Sequence, residues 1–294
     1  MQKILLYYKF VPVKDPEALR LWQRTLGEKL QLKGRILIAE HGINGTVGGE
    51  LADLKAYVAA TKQYPGFKDM KFKWSDGSRN HFPKLIVKVR PEIVTFGAAE
   101  KIKVTEHGIQ GGGTHLKPEQ VHELVKERGK AVVFFDGRNA YEAAVGKFKG
   151  AVVTGANHTR DFAKELKDPK YNDLKDKTVI TYCTGGIRCE VLTVLMKEEG
   201  FKDVYQIDGG IVKYGEAYGD DGLWEGSLHV FDDRGGIKFS DTAKDLGTCA
   251  YCGGSTSSYI DCSDPVCNKL FLICDGCQYT HCPSCTKEQQ PSAR

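Results

Sequence analysis

The sequence has no apolar run that approaches the roughly 18 residues a bilayer-spanning helix needs. It also shows no leader, since Met1-Gln2-Lys3 runs straight into the strand-like Ile4-Leu5-Leu6-Tyr7-Tyr8. Together these absences predict a soluble, cytoplasmic protein with no membrane partner. Cysteine is scarce through most of the chain. Of ten cysteines only Cys183 and Cys189 precede residue 249, and the other eight follow in close pairs. A reducing compartment disfavours disulfides, so metal binding is the expected role of those eight. No internal repeat, flavin motif or non-haem iron motif is evident.

What is present suits a globular chain of two or three domains: 294 residues, 41% of them hydrophobic. The net charge of +4 is unevenly spread. Residues 1–95 hold 17 Lys or Arg against 9 Asp or Glu, whereas residues 96–230 hold 19 against 21 and the remainder 6 against 8. A basic N-terminal third suggests a polyanionic partner such as RNA. A solvated basic face would give the same count.

Residues 1–95 read strand (Lys3 to Val11), helix (Pro16 to Leu32), strand (Gly34 to Ala39), short strand, helix (Glu50 to Thr61), strand (Met70 to Trp74) and strand (Lys84 to Val89). Leu19, Trp22, Leu26 and Leu30 form one apolar stripe at helical spacing. The order suggests a ferredoxin-like (acylphosphatase-like) α+β sandwich. Tyr7, Tyr8, Phe10, Phe72 and Trp74 offer rings for base stacking, although alternating aromatics in strands usually pack into a core. Residues 96–116, with Gly111-Gly112-Gly113 inside them, read as a linker or hinge. Residues 117–230 alternate strands and helices, the mark of a parallel α/β sheet. Residues 231–294 form a cysteine-rich module.

The stretch "YCTGGIRCE" (182–190) places Cys183 where a central strand ends and a helix begins. Open α/β sheets bind ligands at such strand ends. Gly185 and Gly186 let backbone N–H groups converge on the sulfur, the following helix adds its positive end, and Arg188 lies alongside. All three favour a thiolate, hence a nucleophile at neutral pH. Thr184, Gly185, Gly186 and Ile187 are the expected substrate-binding loop. An inert buried cysteine is the alternative for Cys183; Cys189 reads either as a packed small residue or as a resolving thiol. His107, His115, His122 and His229 have no metal spacing and read as surface or packing residues.

Cys183-Thr184-Gly185-Gly186-Ile187-Arg188 resembles the active-site loop of the rhodanese superfamily, whose catalytic cysteine carries a persulfide sulfur. Asp136-Gly137-Arg138 and Asp208-Gly209-Gly210-Ile211 resemble that fold's other markers. Cysteine phosphatases have five residues between cysteine and arginine, and this loop has four. Over nearly the whole chain, "GRILIAEHGINGTVGG" (34–49), "KLIVKVRPEIVTFG" (84–97), "GTHLKPEQVHEL" (113–124), "YCTGGIRCE" and "VFDDR" (230–234) resemble the oxygen-dependent tRNA uridine hydroxylases. His41 stands where that resemblance leads one to expect an acidic residue. The resemblance implies a ferredoxin-like domain, a rhodanese domain and a cysteine-rich tail. It implies hydroxylation of the wobble uridine at C5 with molecular oxygen as cosubstrate, in the anticodon region of tRNA, with Cys183 essential.

In the tail the pairs are Cys249/Cys252, Cys262/Cys267, Cys274/Cys277 and Cys282/Cys285. Four pairs of thiolates suffice for two tetrahedral sites, and zinc in a structural role is the expected occupant. Sequential and interleaved pairing fit the spacing equally well, and an iron–sulfur cluster or disulfides would use the same residues. Two other functions compete with the hydroxylase reading. One is a sulfurtransferase passing sulfur to a protein or small-molecule acceptor; the other is a zinc-dependent scaffold with an inactive rhodanese fold. The intact Cys-x4-Arg loop argues against the scaffold.

Overall fold

The structure is a computed structural model that describes residues 1–231, 234–267 and 269–288. Asp232 and Asp233 of the "VFDDR" stretch lie outside the described residues, as do Asn268 and residues 289–294.

The N-terminal unit runs β1 (Gln2–Phe10), α1 (Pro16–Lys29), β2 (Lys33–Ala39), β3 (Gly42–Glu50), α2 (Leu51–Thr61), β4 (Phe72–Asp76) and β5 (Leu85–Val89). Its sheet has the order β4-β1-β3-β2-β5. The first four strands pair antiparallel and β5 joins parallel to β2. This is the expected ferredoxin-like sandwich with one strand added at the edge. Helix α1 starts where the Asp15 carboxylate accepts from the Ala18 amide at 2.9 Å. It stops short of Leu32 because Gln31 takes a left-handed φ of 50° and the Leu32 amide turns back to the Gly27 carbonyl. Leu19 is buried, and Trp22, Leu26 and Leu30 pack against the same core.

Strand β3 departs most from expectation. The short strand anticipated there is a nine-residue central strand paired on both sides. Its glycines hide it from propensity but serve packing. A Cβ at Gly45 would sit 2.3 Å from the Tyr7 ring, which lies directly across the sheet. Tyr7 in turn joins a buried hydrogen-bonded chain with Tyr57 and Gln23. Tyr7 and Phe10 are therefore core residues, while Tyr8 faces the second domain and Trp74 is exposed.

A small hairpin, β6 (Val104–Thr105) and β7 (Gly108–Ile109), leads to β8 (Thr114–Leu116). The segment expected as a hinge is packed. The Glu92 carboxylate accepts from the Gly97 and Ala98 amides at 2.8 and 2.7 Å. Thr193 Oγ1 accepts from the Gly113 amide at 2.8 Å, and Lys197 donates to the Gly112 carbonyl at 2.6 Å. Those triple glycines let the chain press against a helix: a Cβ on Gly113 would come within 2.9 Å of Thr193.

The central unit continues with α3 (Pro118–Arg128), β9 (Val132–Asp136), α4 (Ala140–Ala144), β10 (Gly146–Phe148), α5 (Phe162–Glu165), β11 (Thr178–Tyr182), α6 (Ile187–Glu198), β12 (Asp203–Ile207), α7 (Gly210–Tyr218) and β13 (Trp224–Gly226). Its sheet, β8-β12-β11-β9, is parallel throughout. The strand expected at Ala151 to Val153 reduces to a single bridge from Val152 to Phe135. β10 and β13 form a separate ribbon that carries the buried Phe148 and Trp224 over one face of the sheet.

Phe10, Ala39, Ile93, Phe96 and Ala98 share one apolar core with Phe135, Val191, Leu192 and Leu195 of the central unit. The two units are thus joined by buried apolar surface, the dominant favourable term in association. Both contribute walls to whatever lies between them.

Candidate active site

Cys183 directly follows β11, the strand flanked by β9 and β12 in the middle of the sheet. The chain then turns through Gly186, whose φ of 99° opens α6. Gly186 cannot be replaced cheaply on space either, since a Cβ there would meet the Tyr8 hydroxyl at 3.0 Å. The turn aims the Gly186 amide at Cys183 Sγ, 3.2 Å away. From the far side, the first amides of α7 reach the loop carbonyls: Ile211 N–H donates to Cys183 O at 3.0 Å and Val212 N–H to Thr184 O at 3.1 Å.

Burial alone pushes the Cys183 thiol up. The Cys189 S–H donor, the Arg188 charge and the Cys189 and Gly186 amides outweigh that and bring it down to about 5. Cys189 is equally buried and its thiol is pushed well up, by burial and by the neighbouring sulfur. The two cysteines therefore have separate states, Cys183 a thiolate and Cys189 a thiol that donates to it.

Arg188 occupies the first turn of α6 and is clamped by Glu142, with Nη1 to Oε2 at 2.6 Å and Nη2 to Oε1 at 2.8 Å. Its Nη2 also reaches Thr184 Oγ1 at 3.3 Å. The guanidinium that sequence reasoning treats as an anion stabiliser is thus shared between Cys183 and a buried carboxylate. A second buried pair lies behind it: Arg138 donates to both oxygens of Asp136, at 2.9 and 2.6 Å, and to the Gly146 carbonyl. Bidentate geometry holds both arginines rigidly.

The cleft over this loop has a volume of about 520 Å³ and is walled by both units. Thr184, Gly185 and Ile187 line it beside Cys183 and Arg188, whereas Gly186 is turned toward the sulfur. Tyr8 and Lys73 come from the N-terminal sheet. Lys73 donates to the Gly185 carbonyl and lies 5.2 Å from the Tyr8 ring centroid. Burial lowers its ammonium pKa, against the pull of Cys183, Asp208 and Glu190. The Tyr8 hydroxyl donates to Glu190 at 2.9 Å. Arg160 stands on another wall, and Phe231, 64% exposed, sits at the rim with its ring centroid 5.8 Å from the Arg188 guanidinium.

The histidines divide. His115 joins Glu190 at 3.3 Å and Asp208 at 3.9 Å, and its pKa is raised to about 9 by hydrogen bonding to Asp208 and Glu190. It is a charged partner at the seam between units rather than a packing residue. His122 stacks on Tyr214, and His229 packs edge-on against Tyr141 and Tyr259. His41 is buried and stacked on Phe10, and its Nε2 accepts from the Ile93 amide at 3.3 Å. Burial lowers its pKa, so it is a neutral acceptor.

Sequence reasoning missed Glu142, Asn139 and Lys73. Asn139 and Glu142 carry a readable signal, the N-x-x-E spacing of a helix capping box. Lys73 has none, since its partner is 112 positions away.

The eight tail cysteines form two groups, Cys249/Cys252/Cys274/Cys277 and Cys262/Cys267/Cys282/Cys285. Pairing is interleaved, first pair with third and second with fourth. Within each group all sulfurs lie within 4.8 Å of one another. Resolved Sγ–Sγ contacts are 3.4 Å for Cys252–Cys274 and 3.7 Å for Cys267–Cys282 and Cys282–Cys285. A tetrahedron with Zn–S of about 2.3 Å has edges of about 3.8 Å, so the donor sets fit this ion. Strands β14 (Tyr259–Asp261) and β15 (Leu270–Leu272) pair antiparallel within this module. From β14 the Tyr259 hydroxyl donates to the Tyr141 carbonyl at 2.8 Å, next to Glu142.

Comparison with known proteins places this geometry. The UPF0176 acylphosphatase-like domain matches residues 2–93, the rhodanese-like domain residues 117–217, and the rhodanase C-terminal domain residues 225–290. A protein of Corynebacterium jeikeium named tRNA uridine(34) hydroxylase is 61% identical over 275 residues, 94% of this chain and 89% of that one. Proteins of the same name from Rhodococcus opacus and Kocuria rhizophila are 61% and 56% identical, covering 94% and 96% of this chain and 96% and 97% of theirs. With all three parts matched in order and more than half of its residues shared end to end, the chain belongs to the tRNA uridine(34) hydroxylase family.

Proposed function

We infer that this chain is a tRNA-modifying enzyme that hydroxylates uridine 34 of tRNA. The observation that carries the reading is identity of 56–61% with the family over nearly its whole length. Molecular oxygen is the cosubstrate we assign, and the anticodon region is the part of tRNA bound. One oxygen atom goes to C5 of uracil; the other leaves as water with two electrons from a reducing co-substrate.

Cys183 is the nucleophile in this proposal. Its thiolate adds to C6 of uracil, and the electron pair of the C5–C6 bond moves toward C4 and its oxygen as an enolate. That makes C5 nucleophilic toward an activated oxygen species. Loss of the C5 proton and expulsion of the thiolate from C6 restore the ring. Lys73 and the loop amides supply positive potential beside the developing oxyanion. Phe231 offers a face on which an extruded base stacks, and Arg160 suits a flanking phosphate. The net charge of the N-terminal third supports a polyanion on that side of the cleft. Sulfur transfer from the same cysteine is the alternative activity.

The deciding measurement is mass spectrometry of tRNA nucleosides from a strain lacking the protein, complemented with wild type or Cys183→Ala. Return of 5-hydroxyuridine derivatives with wild type only is the expected result. Identical profiles in all strains would remove the hydroxylase reading and leave sulfur transfer to be assayed.

We assign zinc to both tail clusters, as structural ions that close a segment with little apolar core of its own. No helix of the described residues is long and apolar enough to cross a membrane. A cytoplasmic location suits both a tRNA substrate and reduced thiols. Metal analysis of the purified protein should give two zinc ions per chain, and Cys274→Ser should give one. A single ion in the wild type would contradict the assignment of zinc to both clusters.

A further inference from the structure

The N-terminal sheet keeps one face clear of its own helices. Helices α1 and α2 pack on the side that carries Tyr7, Ile36, Ile38 and Val47. Alternation along the strands turns Leu6, Thr46, Arg35 and Ile86 to the other side. Strand register sets these four in one row with Lys73, in the order Lys73, Leu6, Thr46, Arg35, Ile86. The row begins in the Cys183 cleft, which Lys73, Leu6 and Thr46 line, and ends on the edge strand β5. Its four strand-to-strand steps, each about 4.8 Å, span roughly 19 Å.

The face has two rims. On one side the turn Arg79–His81 lies over the sheet, where a Cβ on Gly48 would come within 2.8 Å of Arg79 Cα. On the other, Asn44 Nδ2 donates to the Ile93 carbonyl at 2.9 Å, tying the chain after β5 across the strands. Between these rims runs a trough that leads away from the nucleophile. Leu6 and Ile86 on its floor, and Leu37 in the next row, are half-buried yet join none of the apolar cores. Charge at the far end is of one sign: residues 33–39 and 84–90 hold Lys33, Arg35, Lys84, Lys88 and Arg90 and no Asp or Glu. Arg35 and Lys88 are exposed and have no ion pair among the described residues.

Apolar floor and unpaired cations together suit unstacked bases on a phosphate backbone. An open sheet on an α+β sandwich holds two or three such nucleotides, and arginine guanidinium planes serve as stacking surfaces. A nucleotide seated at Cys183 also has neighbours that must leave the cleft, and the trough is continuous with it. We propose that this sheet face binds the single-stranded nucleotides adjoining position 34 in the anticodon loop, with bases against Leu6, Leu37, Ile86 and the Arg35 guanidinium and a phosphate at Lys88. This rests on the uridine-hydroxylase reading.

The test uses full-length protein and an anticodon stem-loop with uridine at position 34, its equilibrium affinity measured across a series of salt concentrations. Arg35→Gln with Lys88→Gln should weaken binding about tenfold and flatten the dependence of log affinity on log salt by roughly 1.4, two contacts at about 0.7 each. In turnover the loss should fall on KM rather than kcat, and the Cys183 alkylation rate should match wild type, which also shows that the variant folds. Lys126→Gln with Lys130→Gln, the same charge change on and just after α3, should leave affinity and slope as in wild type. Equal affinity and slope in wild type and the Arg35/Lys88 variant would overturn the proposal and leave the face to a protein partner. An equal loss in the α3 variant would overturn it too, since net charge alone would then explain the effect. Wild type that binds the stem-loop without hydroxylating it would count against the hydroxylase reading, while the salt slopes would still decide the role of this face.

Discussion

Cys183→Ala should reduce uridine hydroxylation to background, a loss of at least about 10⁴-fold, as removal of a covalent nucleophile does elsewhere. The same sulfur should show its charge state before any substrate is added. With its pKa brought down to about 5, Cys183 is a thiolate across the neutral range. Its rate of alkylation by iodoacetamide should therefore be flat from about pH 6 to 8 and fall only near pH 5. A thiol of ordinary pKa, about 8.5, would instead gain roughly tenfold per pH unit over that range. The sign for stability follows. Because the folded pKa is depressed, the stabilising contribution of this group is complete above the unfolded value of about 8.5, and it disappears as pH falls through about 5. A rate that climbs steadily between pH 6 and 8 would mean that burial defeats the amides and Arg188, and the nucleophile assignment would fail with it.

The next largest effect is expected at Glu142. Its carboxylate is fully buried and meets both terminal nitrogens of Arg188, with Arg138 also close enough to lower its pKa further. Glu142→Ala leaves a buried guanidinium without its counter-charge. Breaking such a pair from one side costs about 3–5 kcal/mol. Urea denaturation should show a loss of this size. Replacing both partners, as Glu142→Gln with Arg188→Met, should recover much of that stability, because no uncompensated charge remains. Activity should not recover, since Cys183 loses the Arg188 charge. A double variant with wild-type activity would show that the clamp serves stability alone.

Several of these features were readable along the chain. The helical stripe from Leu19 to Leu30 and the alternation of strands and helices from residue 117 onward arise from local periodicity, which depends only on which face is buried. The Cys183 loop was readable because glycine, arginine and a strand end lie within a few positions of the sulfur. Strand β3 was underestimated for the opposite reason: its glycines are explained only by Tyr7, a residue of another strand. The hinge expected at Gly111-Gly112-Gly113 turned out anchored because Thr193 and Lys197 meet its backbone, and nothing near those glycines announces that contact.

By itself, the sequence determined the three-part order, the strand-to-helix turn that carries Cys183, and the supply of thiolates in the tail, all products of short-range spacing. Tertiary structure alone decided the interleaving of the cysteine pairs and the sharing of Arg188 with Glu142. It also decided that Tyr8 and Lys73 of one domain wall the cleft of the other. These pairings join residues up to 182 positions apart. Close approach in space then sets charge and hydrogen bonding, and separation along the chain carries no information about it.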